Sequence, residues 1–113
     1  MALVCFHGDN PHVINQERAD LVLGVISDSD NRKIIGTIKD EFRTAKEISQ
    51  EIDVPITTIY RKLRLLDKKN VLISSSKIEL GKREFTYKSK IQKVSILFED
   101  NTLDVKIYTN LRD

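Results

Sequence analysis

The chain has 113 residues, of which 40% are hydrophobic and 32% charged, and its formal net charge is +2. This profile predicts a single globular domain over residues 1–113 and excludes a disordered chain. The apolar runs, such as residues 21–26, are far shorter than the roughly 20 residues that cross a bilayer, and the first residues lack the basic start of a secretory signal, so we expect a cytoplasmic protein with no membrane partner.

Residues 1–14 are expected to form a flexible N-terminus, since chain ends are often poorly ordered. They include the segment CFHGDNPH, which brings Cys5, His7, Asp9 and His12 within eight residues. Thiolate and imidazole together suit Zn²⁺ and similar ions. Single residues at these spacings carry little specificity, however, and we predict no metal site and no cofactor.

Two helices are predicted next. Asn15 is suited to cap the first helix, which is expected to end at Ser27. Asp28 precedes the second helix, which is expected to run to about Asp40. Apolar residues recur in this second segment at intervals of three and four: Ile34, Ile35, Ile38 and Phe42.

The segment TAKE predicts the start of a third helix. In this capping box the Thr44 hydroxyl can accept from the Glu47 amide, and the Glu47 carboxylate can accept from the Thr44 amide. The third helix is expected to end near Ile52. Asp53 tolerates the left-handed conformation after a helix, and Pro55 suits the first turn of a new one.

A fourth helix is therefore predicted over about residues 55–69. Its apolar stripe consists of Ile59, Leu63 and Leu66. From Val71 the hydrophobic period changes to two, which predicts a hairpin with its tip near Gly81 and a second hairpin over residues 94–108. Four helices followed by two hairpins give an α+β fold.

Positive charge is concentrated in one part of the chain. Residues 55–93 contain eleven Lys or Arg against three acids, a net charge of +8, whereas the remainder carries −6. A concentrated positive segment in a nearly neutral protein supplies a field for a polyanion. A solvated lysine-rich surface would have the same composition.

Helices three and four have the pattern of a helix-turn-helix. A tight turn lets the second helix project into a groove while the first braces it across the backbone. A hairpin directly after the projecting helix gives a winged helix, whose wing here would be about residues 80–84. The sequence therefore predicts a winged helix-turn-helix with a C-terminal hairpin extension at 94–108.

The segments VISDSDNRKIIGTI and TAKEISQEIDVPITTIYRKLRLLDKKNVLI resemble the arsenical-resistance-repressor-like winged helix transcriptional regulators, especially the small archaeal type. The resemblance covers about residues 20–90. It implies a homodimeric, double-stranded DNA-binding regulator whose recognition helix is the fourth helix. Ser49 and Asp53 stand where such proteins commonly have a small residue and Gly. Many relatives have a dimerising helix at the C-terminus, where this chain has the second hairpin.

Candidate DNA contacts follow from the helix face opposite the apolar stripe and from the wing tip. Threonine methyl and hydroxyl groups can meet base edges, and arginine can bond guanine bidentately. The predicted base contacts are Thr57, Thr58, Arg61 and Lys62. The predicted phosphate contacts, which set register, are Thr44, Lys46, Tyr60, Arg64, Lys82 and Arg83.

Other functions compete with this hypothesis. The sequence has no glycine-rich phosphate loop and no Ser, His and acid set with plausible geometry, so we predict that it is not an enzyme. A winged helix that binds protein or RNA is the main alternative, because the fold serves many functions. Dimerisation is expected through the first helix in preference to the second hairpin.

Overall fold

The computed structural model describes residues 2–109, which contain four helices and seven strands in an α+β arrangement. In chain order the elements are β1 (Leu3–His7), β2 (Asn10–Val13), α1 (Gln16–Ser27), α2 (Ser29–Thr37), β3 (Arg43–Thr44), α3 (Ala45–Ile52), α4 (Ile56–Lys68), β4 (Leu72–Glu79), β5 (Lys82–Ser89), β6 (Ile91–Glu99) and β7 (Thr102–Thr109). Across residues 2–109, no helix has the length and apolar character that a membrane span requires.

The strands form two sheets. One has the order β2-β1-β7-β6, in which β1 runs parallel to β7 and the other pairs are antiparallel. The other has the order β3-β5-β4 and is antiparallel throughout. The long β4–β5 hairpin therefore has the short strand β3, which directly precedes α3, on one side.

All four helices contribute to one buried core, which also receives side chains from both sheets. The α4 stripe predicted from the sequence is confirmed, since Ile59, Leu63 and Leu66 are at most 2% exposed. Burial of such a side chain contributes about 1.5 to 3 kcal/mol. Other core residues include Val22, Val25, Ile34, Ile48, Leu72, Ile91, Val105 and Ile107.

The local helix signals are confirmed. Asn15 Oδ1 accepts from the Arg18 amide at 2.8 Å at the start of α1. In the capping box, the Glu47 amide donates to Thr44 Oγ1 at 3.1 Å and the Thr44 amide donates to Glu47 Oε1 at 2.9 Å. Asp53 has φ 55° and ψ 47°, the left-handed conformation that ends α3.

Helix α2 ends earlier than predicted, at Thr37 and not near Asp40. Ile38 is fully buried with φ −114°, and its carbonyl accepts from the Ser89 amide at 2.9 Å. This hydrogen bond to the end of β5 takes the chain out of the helix. Phe42, which the periodicity placed on the buried face of the helix, lies beyond it and is 44% exposed.

The N-terminal segment differs most from the prediction. Residues 1–14 were expected to be flexible, but β1 and β2 form an antiparallel hairpin, and β1 also pairs with β7 from Leu3↔Val105 to His7↔Thr109. Met1 lies outside the described residues. Strand β7, with which β1 pairs, lies about a hundred residues further along the chain, so no local sequence pattern could predict this pairing.

Both predicted hairpins are present, and the first has its tip where predicted, at Leu80 and Gly81. The residues at the two tips, Leu80 and Gly81 in the first and Asp100 and Asn101 in the second, all have positive φ. Two consecutive positive φ values in a two-residue loop match the twist of the flanking strands. The second hairpin extends over Ile91–Thr109, beyond the predicted 94–108.

Candidate nucleic-acid interface

The turn between α3 and α4 is held by its own side chains. Besides the left-handed Asp53, the Ser49 hydroxyl donates to the Val54 carbonyl at 2.5 Å. Val54 packs against the core, and Pro55 occupies the position before α4. The start of α4 is thereby fixed relative to α3.

One face of α4 is a row of polar and basic side chains. At 100° per residue, positions 57, 61, 64 and 68 lie together, opposite the buried stripe. All four residues of this row are exposed: Thr57, Arg61, Arg64 and Lys68. The row extends along about 16 Å of helix at 1.5 Å per residue.

Two of the predicted base contacts lie outside this row. Thr58 and Lys62 occupy the flank of α4 and are both partly buried. The Lys62 ammonium is paired with the Asp28 carboxylate, and its side chain is only 16% exposed. Lys62 was predicted to lie on the face opposite the apolar stripe, but the helical step of 100° from Arg61 turns it toward the junction of α1 and α2, where it meets Asp28.

A groove of about 270 Å³ separates α4 from the β4–β5 hairpin. Lys46 and Arg83, both predicted phosphate contacts, line it from opposite sides. Tyr60, 51% exposed, and Phe85, 54% exposed, also line it. The groove lining therefore combines two cations with aromatic rings and one acid, Glu84.

The two basic residues at the tip of the β4–β5 hairpin point to opposite faces of the hairpin. Strand side chains alternate, and the register pairs Arg83 with Ile78 and Lys82 with Glu79. Arg83 is on the same face as Phe85 and lines the groove. Lys82 is on the other face, opposite a carboxylate, so the structure separates two residues that the sequence grouped.

Thr44 serves the fold as well as the groove. It lines the groove, and its hydroxyl oxygen accepts the Glu47 amide. This bond leaves the hydroxyl proton free to donate outward. The Glu47 carboxylate, which accepts from the Thr44 amide, has a pKa below its usual value because of that bond.

Sequence reasoning missed two residues of this surface. Lys68 lies eleven positions after Thr57, and continuing the spacing of 4, 3 and 4 residues along α4 would have found it. Phe85 was assigned only to strand alternation, but it lies two positions after Arg83, and a period of two puts both side chains on one face. Arg64, assigned to phosphates, lies in the same row as Arg61.

The N-terminal cluster of Cys and His residues is drawn together only in part. Cys5 Sγ lies 4.0 Å from His7 Nε2, and the rings of His7 and His12 are 4.9 Å apart. Asp9 is in the exposed β1–β2 turn. Among residues 2–109, no group of three or more His, Cys, Asp or Glu is arranged to hold a metal ion.

Comparison with known proteins does not assign the chain to a family. No protein-family model matches it, and no curated protein matches it either.

Proposed function

We propose that the protein is a sequence-specific double-stranded DNA-binding transcriptional regulator of the winged helix-turn-helix type. The observation that carries this proposal is the exposed row of Thr57, Arg61, Arg64 and Lys68 on α4. The major groove of DNA is wide enough to admit an α-helix, so this face of α4 can reach the base edges. In this arrangement α3 braces α4, and the wing at residues 80–84 reaches phosphates or the minor groove.

In this proposal several residues have DNA contacts other than those predicted from the sequence. Thr57, Arg61 and Arg64 are the base readers, with Thr58 at the edge of the reading surface and Lys68 at its far end. The groove residues contact phosphates: Thr44, Lys46, Tyr60 and Arg83. Lys62 is a positioning residue, because its charge is paired with Asp28. Lys82 contributes to DNA binding mainly through the electrostatic field of its charge.

Selection from random duplexes tests the proposal directly. The purified full chain should enrich a short motif, and fluorescence anisotropy should give a specific affinity at least about a thousandfold above that for random duplex. Single-stranded RNA should compete no better than random duplex. Failure to enrich any motif, together with equal affinity for all nucleic acids, would refute sequence-specific recognition.

A module that binds RNA or protein is the alternative, and two of the three aromatic residues that line the groove favour its RNA form. Tyr60 and Phe85 are each about half exposed, and aromatic rings exposed beside cations can stack on unpaired bases. Under this alternative Phe85→Ala weakens binding more than Arg61→Ala. Under the DNA proposal the order is reversed, because Arg61 lies in the row and Phe85 lies beside it.

We also propose that the protein acts as a homodimer. One recognition helix reads only a few base pairs, and a two-fold dimer reads two half-sites. The exposures favour the second hairpin as the interface, since Ile96, Leu97 and Phe98 on the edge strand β6 are 49%, 54% and 70% exposed. The candidate residues of α1, Leu21, Leu23 and Ile26, are only partly exposed and pack against the core.

A further inference from the structure

A cavity of about 390 Å³ lies apart from the candidate interface. It is enclosed by the β1–β2 hairpin, by α1 and by the segments that follow α4 and β5. None of its described lining residues belongs to the exposed row of α4 or to the groove beside the wing. Its volume is in the range of pockets that hold small organic molecules.

The walls and the rim of the cavity differ in chemistry. Val22, Ile91 and Ile107 line the cavity but are at most 4% exposed, so its accessible apolar surface comes mainly from the partly exposed Cys5 and Ile14. The polar lining includes four basic residues: His7, His12, Arg18 and Lys90. Among the described lining residues there is no Asp or Glu. Such a site fits an anionic group attached to an apolar body.

The two permanent cations of the cavity bond to neutral acceptors at the end of α4. Arg18 Nη1 donates to the Lys69 carbonyl at 3.0 Å, and Nη2 lies 3.5 Å from the Asn70 carbonyl. Lys90 Nζ donates to Asn70 Oδ1 at 2.6 Å. Lys69 is the C-cap of α4. A carboxylate is a stronger hydrogen-bond acceptor than these neutral oxygens, and both of its oxygens can accept from one guanidinium.

We infer that this cavity binds a small organic carboxylate, with the carboxylate on Arg18 and Lys90 and the apolar body against the partly exposed Cys5 and Ile14. Bound there, the anion competes with the Lys69 and Asn70 oxygens for both cations. Occupation of the cavity is thereby coupled to the C-terminal end of α4. The binding site stands on its own, whereas a regulatory effect on DNA rests on the proposed function.

Binding is measured on the full chain without DNA. The probes are benzoate, octanoate and indole-3-acetate, each compared with its primary amide, and the readout is the set of ¹⁵N–¹H amide shifts. We expect saturable shifts at Ile14, Arg18 and Lys90 with at least one acid, and affinity at least about tenfold weaker for its amide, because the charged bond is lost. Equal affinity of acid and amide, or no saturable shift with any acid, overturns the inference.

Variants separate the site from general charge. Arg18→Gln should abolish acid binding, but it also removes bonds to α4 and lowers stability. Lys90→Gln and the exposed His12→Gln are therefore tested beside it, with Lys106→Gln, an exposed lysine outside the cavity, as the matched control. Lys90→Gln should weaken acid binding about fivefold or more, and Lys106→Gln should leave it unchanged. Equal losses in both would overturn the assignment.

The only cysteine of the chain provides an independent readout. Cys5 lines the cavity, and burial raises the pKa of its thiol, so we expect slow alkylation of the free protein. A saturating acid should slow iodoacetamide alkylation of Cys5 further, and the amide should not. An alkylation rate that the bound acid leaves unchanged would place the ligand elsewhere.

The coupling has its own signature in the same spectra. Amides of Lys69, Asn70 and Val71 should shift together with those of the cavity, and unchanged amides there would overturn the coupling. The two proposals fail separately. Acid binding without any affinity for duplex retains the cavity site and removes the DNA function, whereas duplex binding without acid binding does the reverse.

Discussion

The ammonium of Lys62 on α4 is paired with the carboxylate of Asp28, the residue that separates α1 from α2. Asp28 also accepts from the Asp30 amide at 3.3 Å and so caps α2. The hydrogen bond from Lys62 is the main reason that the pKa of Asp28 lies below its usual value. One carboxylate thus links three helices, and α4 is held from the side opposite the β4–β5 hairpin.

Lys62→Ala should therefore act on stability. We expect a loss of about 1 kcal/mol in the free energy of unfolding, because the Asp28 carboxylate loses a partly buried partner. Arg61→Ala is the matched control, since Arg61 is exposed, and it should change stability by less than about 0.5 kcal/mol. Urea denaturation of both variants measures this, and equal stability of the two would show that the ion pair contributes nothing.

Arg61→Ala should act on recognition. If Arg61 bonds a guanine, the variant should lose about 1 to 3 kcal/mol on the selected motif and show relaxed preference at one base position. Repeating the selection with the variant measures both effects. A uniform loss on specific and random duplexes would show that Arg61 contacts only the backbone.

The two wing cations should differ in their effect on salt dependence. If the exposed cations of the proposed interface together offset about six phosphate charges per chain, log K should fall against log salt with a slope of magnitude about 5 to 6. These cations are Lys46, Arg61, Arg64, Lys68, Lys82 and Arg83. Arg83→Ala should reduce that magnitude by about one because Arg83 lines the groove. Lys82→Ala should reduce it less, since Lys82 is on the other face opposite Glu79. Identical slopes for the two variants would contradict this assignment of the wing faces.

The capping box should respond to pH with a defined sign. The folded pKa of Glu47 lies below its ordinary value of 4.5 because its carboxylate accepts the Thr44 amide. The unfolded chain therefore takes up the proton first, so this stabilisation is present above about pH 4.5 and is lost as the pH falls through the folded pKa. Glu47→Gln should flatten the stability profile in that acid range, whereas Glu51→Gln, an exposed acid on the same helix, should not.

The same helix start can be tested without titration. Thr44→Ala removes the acceptor of the Glu47 amide and should cost about 1 kcal/mol at neutral pH. An unchanged denaturant midpoint would mean that the Thr44 hydroxyl does not stabilise α3.

Dimerisation through β6 should be sensitive to charge on that edge. At micromolar concentration, sedimentation should give twice the chain mass of 13.0 kDa. Ile96→Lys should give a monomer, because edge strands that carry lysine resist pairing. Val13→Lys is the control, since Val13 is 89% exposed on β2, the other edge of the same sheet. A monomeric parent protein would remove the dimer proposal.

Several features of the fold follow from interactions within a few residues, and these were predictable. The Thr44–Glu47 box closes over three residues, and Asp53 ends α3 by its own tolerance of positive φ. The change from a period of 3.6 to a period of two after α4 reflects which side chains must face the core. Such signals need no knowledge of the rest of the chain.

Other features were decided by partners that are distant in sequence. Strand β1 is held in the sheet by its parallel pairing with β7, in which Leu3 pairs with Val105. Helix α2 ends early because the Ile38 carbonyl accepts the Ser89 amide. Hydrophobic periodicity predicts that a side chain is buried, but it does not predict which backbone amide will donate to the carbonyl of that residue.

The candidate interface shows the same division. The sequence by itself determined that a basic helix follows a tight turn and precedes a hairpin, because charge, capping and period are local properties. Only the tertiary structure decided that Lys62 is paired with Asp28 and that Arg83 and Phe85 face Tyr60 across a groove. Pairing and facing depend on how separate elements pack, and that packing is set by the shared core.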